Sequence, residues 1–265
     1  PAVERRGRVN RETDRPRILL ATDFSKWALR AEEYACCLAA TWRARLTVLT
    51  VLEFPPGMNP EYPVNQVYLG ELMKAGAKQL VDLKARASAR GISLHTRIAT
   101  GIPCEEVLAA VKAEDSDLVV VGTKGKSGLE HVLLGSTAER VIRTAPCPVL
   151  TVRMDREELS AGAAGPCGGI RLNRILVPVD FSDCSLEAVE YAALMAQRHS
   201  ASVTLLHVLE PVSYGLDFTL LHASKREEMR ERLTARLGDM TRALAEAKIQ
   251  ADSQVRGGTP FESIL

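Results

Sequence analysis

No apolar run in this chain reaches the roughly 18 residues that a membrane-crossing helix needs. No membrane-spanning helix and no membrane partner are therefore expected in this sequence. Bulk charge of either sign is also missing: Lys and Arg total 34, Asp and Glu 33. No basic surplus draws the chain nonspecifically to nucleic acid. Cysteines are few, at positions 36, 37, 104, 147, 167 and 184. They form no C-x-x-C, and no His lies at zinc-binding spacing, which argues against a cysteine-based metal site. They read as small buried hydrophobes in a reducing cytosol, so the expected location is cytoplasmic. The opening segment, PAVERRGRVNRETDRPR, has no apolar stretch and does not read as a secretory signal. Glu4, Glu12 and Asp14 interrupt its basic residues, against a transit peptide. Residue 1 is Pro rather than Met, so processing or trimming is expected. What is present is ordinary: 265 residues, 46% hydrophobic and 25% charged. That is enough for one large or two average domains and rules out wholesale disorder.

The chain repeats itself. RILLATDFS at 17–25 returns as RILVPVDFS at 174–182. The same offset aligns Tyr34-Ala35 with Tyr191-Ala192, and Val51-Leu52-Glu53 with Val208-Leu209-Glu210. It also aligns Gly101-Ile102-Pro103 with Gly258-Thr259-Pro260. A constant offset means equal element lengths, hence one fold used twice. We expect an N-terminal extension over 1–16, a first domain over 17–152, a Gly/Ala/Pro-rich linker over 153–170 and a second domain over 171–265.

Within the first copy, strands are predicted at 17–22, 46–52, 92–99, 118–121 and 149–152. Helices are predicted at 25–40, 67–90 (closed by Gly91), 103–112 and 133–144. Strand–helix alternation predicts an α/β fold, a doubly wound parallel sheet with helices on both faces. The fourth strand should lie centrally beside the first, and the last at the edge. The second copy stops inside its third helix, so we expect a C-terminally truncated second domain.

One stretch carries chemistry. VVVGTKGKSGLEHVLLGST, residues 119–137, is a buried strand followed by G-x2-G, nine residues and G-S-T at a helix start. Glycines let backbone N–H groups approach phosphate oxygens, and a helix N-terminus adds donors and a positive dipole end. Ser136 and Thr137 add hydroxyls, and Lys124 and Lys126 can screen phosphate charge. The loop sits at a strand's carboxyl end, where open α/β sheets bind ligands. The same glycines also suit a plain strand–helix turn, and Ser136 a plain helix cap.

With these features the chain resembles a tandem universal stress protein. TDFS after strand one, LTVLTVLE at strand two, the glycine stretch and APCPVLTV all match. The resemblance covers 17–152 fully and 174–265 as far as that copy goes. ATP-binding members of the family carry G-x2-G-x9-G-[S/T], matched here by Gly122, Gly125, Gly135 and Ser136. The resemblance implies ATP, with or without Mg2+, held by Ala21, Asp23, Val51, Val121, Gly122, Lys124, Gly125, Gly135, Ser136 and Thr137. Asp23 would hold the adenosine end, Ala21 would line the base pocket and Val51 would contact adenine. Their counterparts are Asp180, Pro178 and Val208, but the second copy contains no phosphate loop. The resemblance also implies pairing of last strands between domains or subunits, hence a homodimer.

The expected function is nucleotide-dependent stress response or signalling, with at most slow hydrolysis and no catalytic residues. One alternative is an ATP pyrophosphatase-type enzyme, against which Asp23-Phe24-Ser25-Lys26 lacks the glycines of a pyrophosphate loop. The other is a nucleotide-free interaction module, against which the glycine motif speaks. No paired carboxylates flank the loop to hold catalytic magnesium. The five histidines form no catalytic group, and His207 reads as a core or edge residue. The charged helix around 225–246, with Met229, Leu233, Leu237, Met240 and Leu244 on one stripe, reads as an amphipathic surface helix.

Overall fold

The computed structural model describes residues 15–53, 62–123, 134–153, 172–210 and 221–264. The chain divides into two compact units, Pro1–Ile170 and Arg171–Leu265. The expected linker falls almost wholly outside the described residues.

In the first unit β1 (Arg17–Ala21), α1 (Ala28–Trp42), β2 (Arg45–Leu52), α2 (Pro63–Ser88) and β3 (Leu94–Thr100) alternate. They are followed by α3 (Pro103–Ala113), β4 (Leu118–Gly122), α4 (Ser136–Thr144) and β5 (Val149–Val152). All pairings are parallel, in the order β3-β2-β1-β4-β5. The fourth strand is thus beside the first and the last is at the edge, as the doubly wound reading expects.

Strands buried on both faces must be apolar throughout rather than alternating. RILLA and LVVVG meet this requirement, with Leu19, Leu20, Val119 and Val120 fully inaccessible. Successive side chains serve opposite cores. Ile18, Leu20, Val48 and Val120 pack with Ala31, Ala35 and Leu38 of α1 and Leu80 and Leu83 of α2. Leu19, Leu49, Val119 and Val121 pack with Val107 and Val111 of α3 and Ala138 and Val141 of α4. Each such aliphatic side chain taken from water contributes about 1.5–3 kcal/mol.

The second unit contains β6 (Arg174–Pro178), α5 (Asp183–His199), β7 (Ser202–Leu209), α6 (Leu221–Glu246), β8 (Ala251–Gly257) and α7 (Pro260–Ile264). Its parallel sheet runs β6-β7-β8. Val177, Val203, Leu205 and Leu237 form its centre.

Several expectations need correcting. Helix α1 starts at Ala28, not 25, because Phe24 takes a left-handed φ of 58° and Ser25 is spent on the turn: its carbonyl accepts the Ala28 N–H. Helix α4 starts at Ser136, not 133: Gly135 is extended at φ −72°, ψ 152°, and Leu134 precedes the helix. Gly91 does close α2, its N–H bonding Ser88 and the Ile92 N–H bonding Ala87, with φ at 72°. Cys36, Cys37 and Cys104 are buried, but Cys184 is exposed in the first turn of α5. Met229, placed on the apolar stripe of α6, is also exposed, while Leu237 and Leu244 are buried.

Candidate functional site

From β1 the chain crosses through α1, on one face of the sheet, to β2, and from β4 through α4, on the other face, to β5. The sheet therefore switches winding direction between β1 and β4. Crevices outside the carboxyl ends of strands at such a switch bind ligands in this architecture. The register places Ala21 opposite Val121 on β4 and Leu49 on β2. Ala21 and Val51 are partly buried and pack on the α3/α4 core together with buried Val121. These three residues make an apolar floor.

Beyond β1 the chain makes a tight turn. The Thr22 N–H still donates to the Leu49 carbonyl at 3.0 Å, continuing the strand. Asp23 Oδ1 accepts the Ser25 N–H at 3.0 Å, and Thr22 Oγ1 accepts the Phe24 N–H at 3.0 Å. A positive φ is costly for an aromatic residue and persists only where neighbouring bonds enforce it. Here two hydroxyl and carboxylate acceptors flank it. The arrangement leaves Asp23 partly exposed just beyond the carboxyl end of β1, beside the switch point.

The opposite wall comes from the glycine motif. The Thr123 N–H bonds the Val152 carbonyl at 3.1 Å, and the Gly135 N–H bonds the Thr123 carbonyl at 2.7 Å. The latter bond brings Gly122 and Gly135 together at the end of β4. Intrahelical bonding in α4 begins with Glu139 N–H to the Gly135 carbonyl. The amides of Ser136, Thr137 and Ala138 therefore precede the first helical bond and point out of the N-terminus. Ser136 is exposed and Thr137 partly so. Ala21, Asp23, Val51, Val121, Gly122, Gly135, Ser136 and Thr137 thus gather at one end of the sheet. Lys124, Gly125 and Lys126 lie outside the described residues. Among the described residues, no three or more His, Cys, Asp or Glu side chains cluster as metal ligands do.

Sequence reasoning missed Thr22, Glu32 and Arg86. Glu32 on α1 is buried at 3% exposure. Its Oε1 accepts the Thr22 hydroxyl at 2.8 Å, and Oε2 lies 3.4 Å from the Arg86 guanidinium on α2. Burial pushes its carboxyl up, and nearby Asp23 and Glu33 add to that; Thr22 and Arg86 oppose it. An acid four residues after Ala28, inside the apolar stripe of Ala28, Ala31, Ala35 and Leu38, was the available signal.

In the second unit Asp180 Oδ1 accepts both the N–H and the hydroxyl of Ser182, at 2.9 and 2.6 Å. These bonds hold its carboxyl down at about 2. Phe181 has φ 63°, like Phe24. The Arg236 guanidinium lies 4.1 Å over the Phe181 ring, and that ring is 5.1 Å from His207. His207 Nδ1 is 2.6 Å from the Val179 carbonyl, so the half-buried histidine closes the strand end.

A doubly wound parallel sheet with apolar residues, an acid and a helix N-terminus at its switch point, beside a second parallel sheet, defines a two-unit α/β protein with a candidate site in its first unit. More narrowly, the chain belongs to the universal stress protein family, whose model matches residues 15–153 and again 171–265. A universal stress protein of Methanocaldococcus jannaschii is 35% identical over 143 residues, spanning 54% of this chain and 84% of its own. The Bacillus subtilis universal stress protein YxiE is 33% identical over 146 residues, spanning 52% of this chain and 98% of its own. The crystal structure of a universal stress protein from Archaeoglobus fulgidus shares the fold across both units. Its TM-score is 0.69 at 22% identity, covering 94% of this chain and 79% of that one. No described helix is long and apolar enough to cross a membrane.

Proposed function

We propose that the protein is a cytoplasmic ATP-binding stress-response or signalling protein that holds nucleotide in its first domain. The observation that carries this reading is the Gly135–Thr123 bond at the end of β4. It sets the amides of Ser136 and Thr137 at the switch-point crevice that Asp23 borders. The residues present suit the ligand. Ala21, Val51 and Val121 offer an apolar floor to a base, Asp23 a carboxylate to a ribose, and the α4 N-terminus donors to phosphate. Gly122, Lys124 and Gly125 would complete the phosphate loop. Mg2+, when present, would arrive as the counter-ion of the triphosphate.

Hydrolysis is slow in this reading, because Asp23 is the single carboxylate assigned to the site and no carboxylate pair is assigned to hold a catalytic metal. ATP then acts as a bound regulator. The domain division at 17–152 and 171–265 belongs to the same reading, as does a homodimer. β5, the edge strand of the first sheet, has Val149, Leu150 and Thr151 only partly buried, and an apolar edge invites pairing.

Mass spectrometry of nucleotide released from freshly purified protein tests the reading directly, together with calorimetric titration of ATP. Absence of bound adenine nucleotide and of any ATP heat would overturn it. Light scattering showing only monomer at micromolar concentration would overturn the dimer.

A further inference from the structure

The two copies can be compared residue by residue. One offset carries Arg17 to Arg174, Arg45 to Ser202 and Leu94 to Ala251, the first residues of the three shared strands. Under it Thr22 corresponds to Val179, Glu32 to Val189 and Arg86 to Ala243. Val179 and Val189 are buried at 3% and 8% exposure, as Thr22 and Glu32 are at 5% and 3%. The same fold therefore fills this place with a polar trio in one copy and, in the other, with buried Val179 and Val189, an exposed Ala243 standing at the Arg86 position.

Stability does not explain the polar version. A buried carboxylate loses its hydration, and its partner Arg86 is half exposed at 53% and 3.4 Å away. Apolar replacement of buried ionic groups is often neutral or stabilising, and the second copy has made it. What the polar trio adds is direction. The Thr22 hydroxyl donates to Glu32 Oε1, which leaves an oxygen lone pair turned toward the Phe24 N–H. That amide directly follows Asp23. Val179 offers Phe181 no such acceptor, yet Phe181 takes the same left-handed φ and Asp180 accepts the Ser182 N–H as Asp23 accepts that of Ser25; the trio therefore does not create the turn but adds a bond that restrains it.

We propose that Thr22 and Glu32 are positioning residues that restrain the Asp23 turn beside the switch point, with Arg86 as the counter-ion of Glu32. The consequence for ligand affinity rests on the reading of that crevice as a nucleotide site; the geometry of the turn does not.

The test converts the first copy to the second, in the full chain, as Thr22→Val/Glu32→Val/Arg86→Ala. Three quantities are read: thermal unfolding, amide exchange at Phe24 by NMR, and ATP affinity by calorimetry. The triple variant should unfold at or above the wild-type temperature. Its Phe24 amide should exchange faster and its ATP affinity fall, each by roughly 3–10-fold, the worth of one hydrogen bond. Glu32→Gln keeps an acceptor for Thr22 and should retain both within about twofold. Unchanged exchange at Phe24 overturns the proposal. Faster exchange with unchanged ATP affinity overturns its functional half. Wild type that binds no ATP overturns the nucleotide reading instead, and Phe24 exchange still decides whether the trio holds the turn. If the triple variant does not fold, Thr22→Val against Thr22→Ser, which keeps the hydroxyl, gives the same two readouts.

Discussion

Gly135→Val separates the phosphate seat from the fold. The backbone at Gly135 has φ −72° and ψ 152°, an extended conformation open to any L-residue. Valine keeps the N–H that bonds the Thr123 carbonyl and the carbonyl that accepts from Glu139. Folding should therefore lose only the cap preference of glycine over a β-branched residue, about 0.5–1 kcal/mol. That corresponds to a drop of at most about 5 °C in Tm. Ligand binding should lose far more. Two methyl groups at the N-cap stand where a phosphate must approach the amides of Ser136, Thr137 and Ala138. Losing one to two charge-assisted bonds costs about 3 kcal/mol, roughly 150-fold in Kd. Adenosine, which has no phosphate, should bind variant and wild type alike. Calorimetry with both ligands, beside thermal melts, decides. Equal ATP affinity in the two proteins, or adenosine binding lost along with ATP, would refute the placement of phosphate at α4.

Four further outcomes are expected. Gly101→Ala and Gly258→Ala should each cost about 1–3 kcal/mol in chemical denaturation. The φ values there are 148° and 146°, and the new Cβ meets only the movable Glu106 carboxylate or Ser263 hydroxyl. Leu20→Ala, on the innermost strand and inaccessible, should cost about 2–5 kcal/mol in urea unfolding; a loss under 1 kcal/mol would show that β1 does not carry the core. For Glu32, burial raises the folded-state pKa, so the native state binds its proton more tightly than the unfolded chain. Its contribution is present below about pH 4.5 and falls as pH rises through the raised value. Glu32→Gln should remove that fall, and parallel stability–pH curves for the two proteins would refute it. Ser182→Ala should let the Asp180 carboxyl rise from about 2 toward 3.8, read by NMR titration; a value still at about 2 would show that the hydroxyl is not what holds it.

The sequence by itself determined the elements and their duplication. Strands buried on both faces can only be written as apolar runs, so RILLA, LTVLTVL and LVVV are legible without a structure. The repeat marks one architecture used twice, right-handed crossovers put helices on both faces, and the doubly wound reading puts β4 beside β1 and β5 at the edge. Gly122, Gly135 and Ser136 were legible as a turn and helix start because that chemistry is local, whereas Asp23 entered only through the family resemblance. Tertiary structure decided the rest. Whether Cys184 faces solvent depends on how α5 lies on its sheet, which helical periodicity does not reveal for a first-turn residue. The start of α4 depended on Gly135 being extended and bonded to Thr123, twelve positions earlier. The Thr22–Glu32–Arg86 trio joins a strand end to two helices, with Arg86 54 residues beyond Glu32. Local propensity can show that an acid interrupts an apolar stripe. Only the packing of α1 and α2 on one face of the sheet brings it a hydroxyl and a guanidinium, because burial and partnership are properties of the assembled layers and not of any one segment.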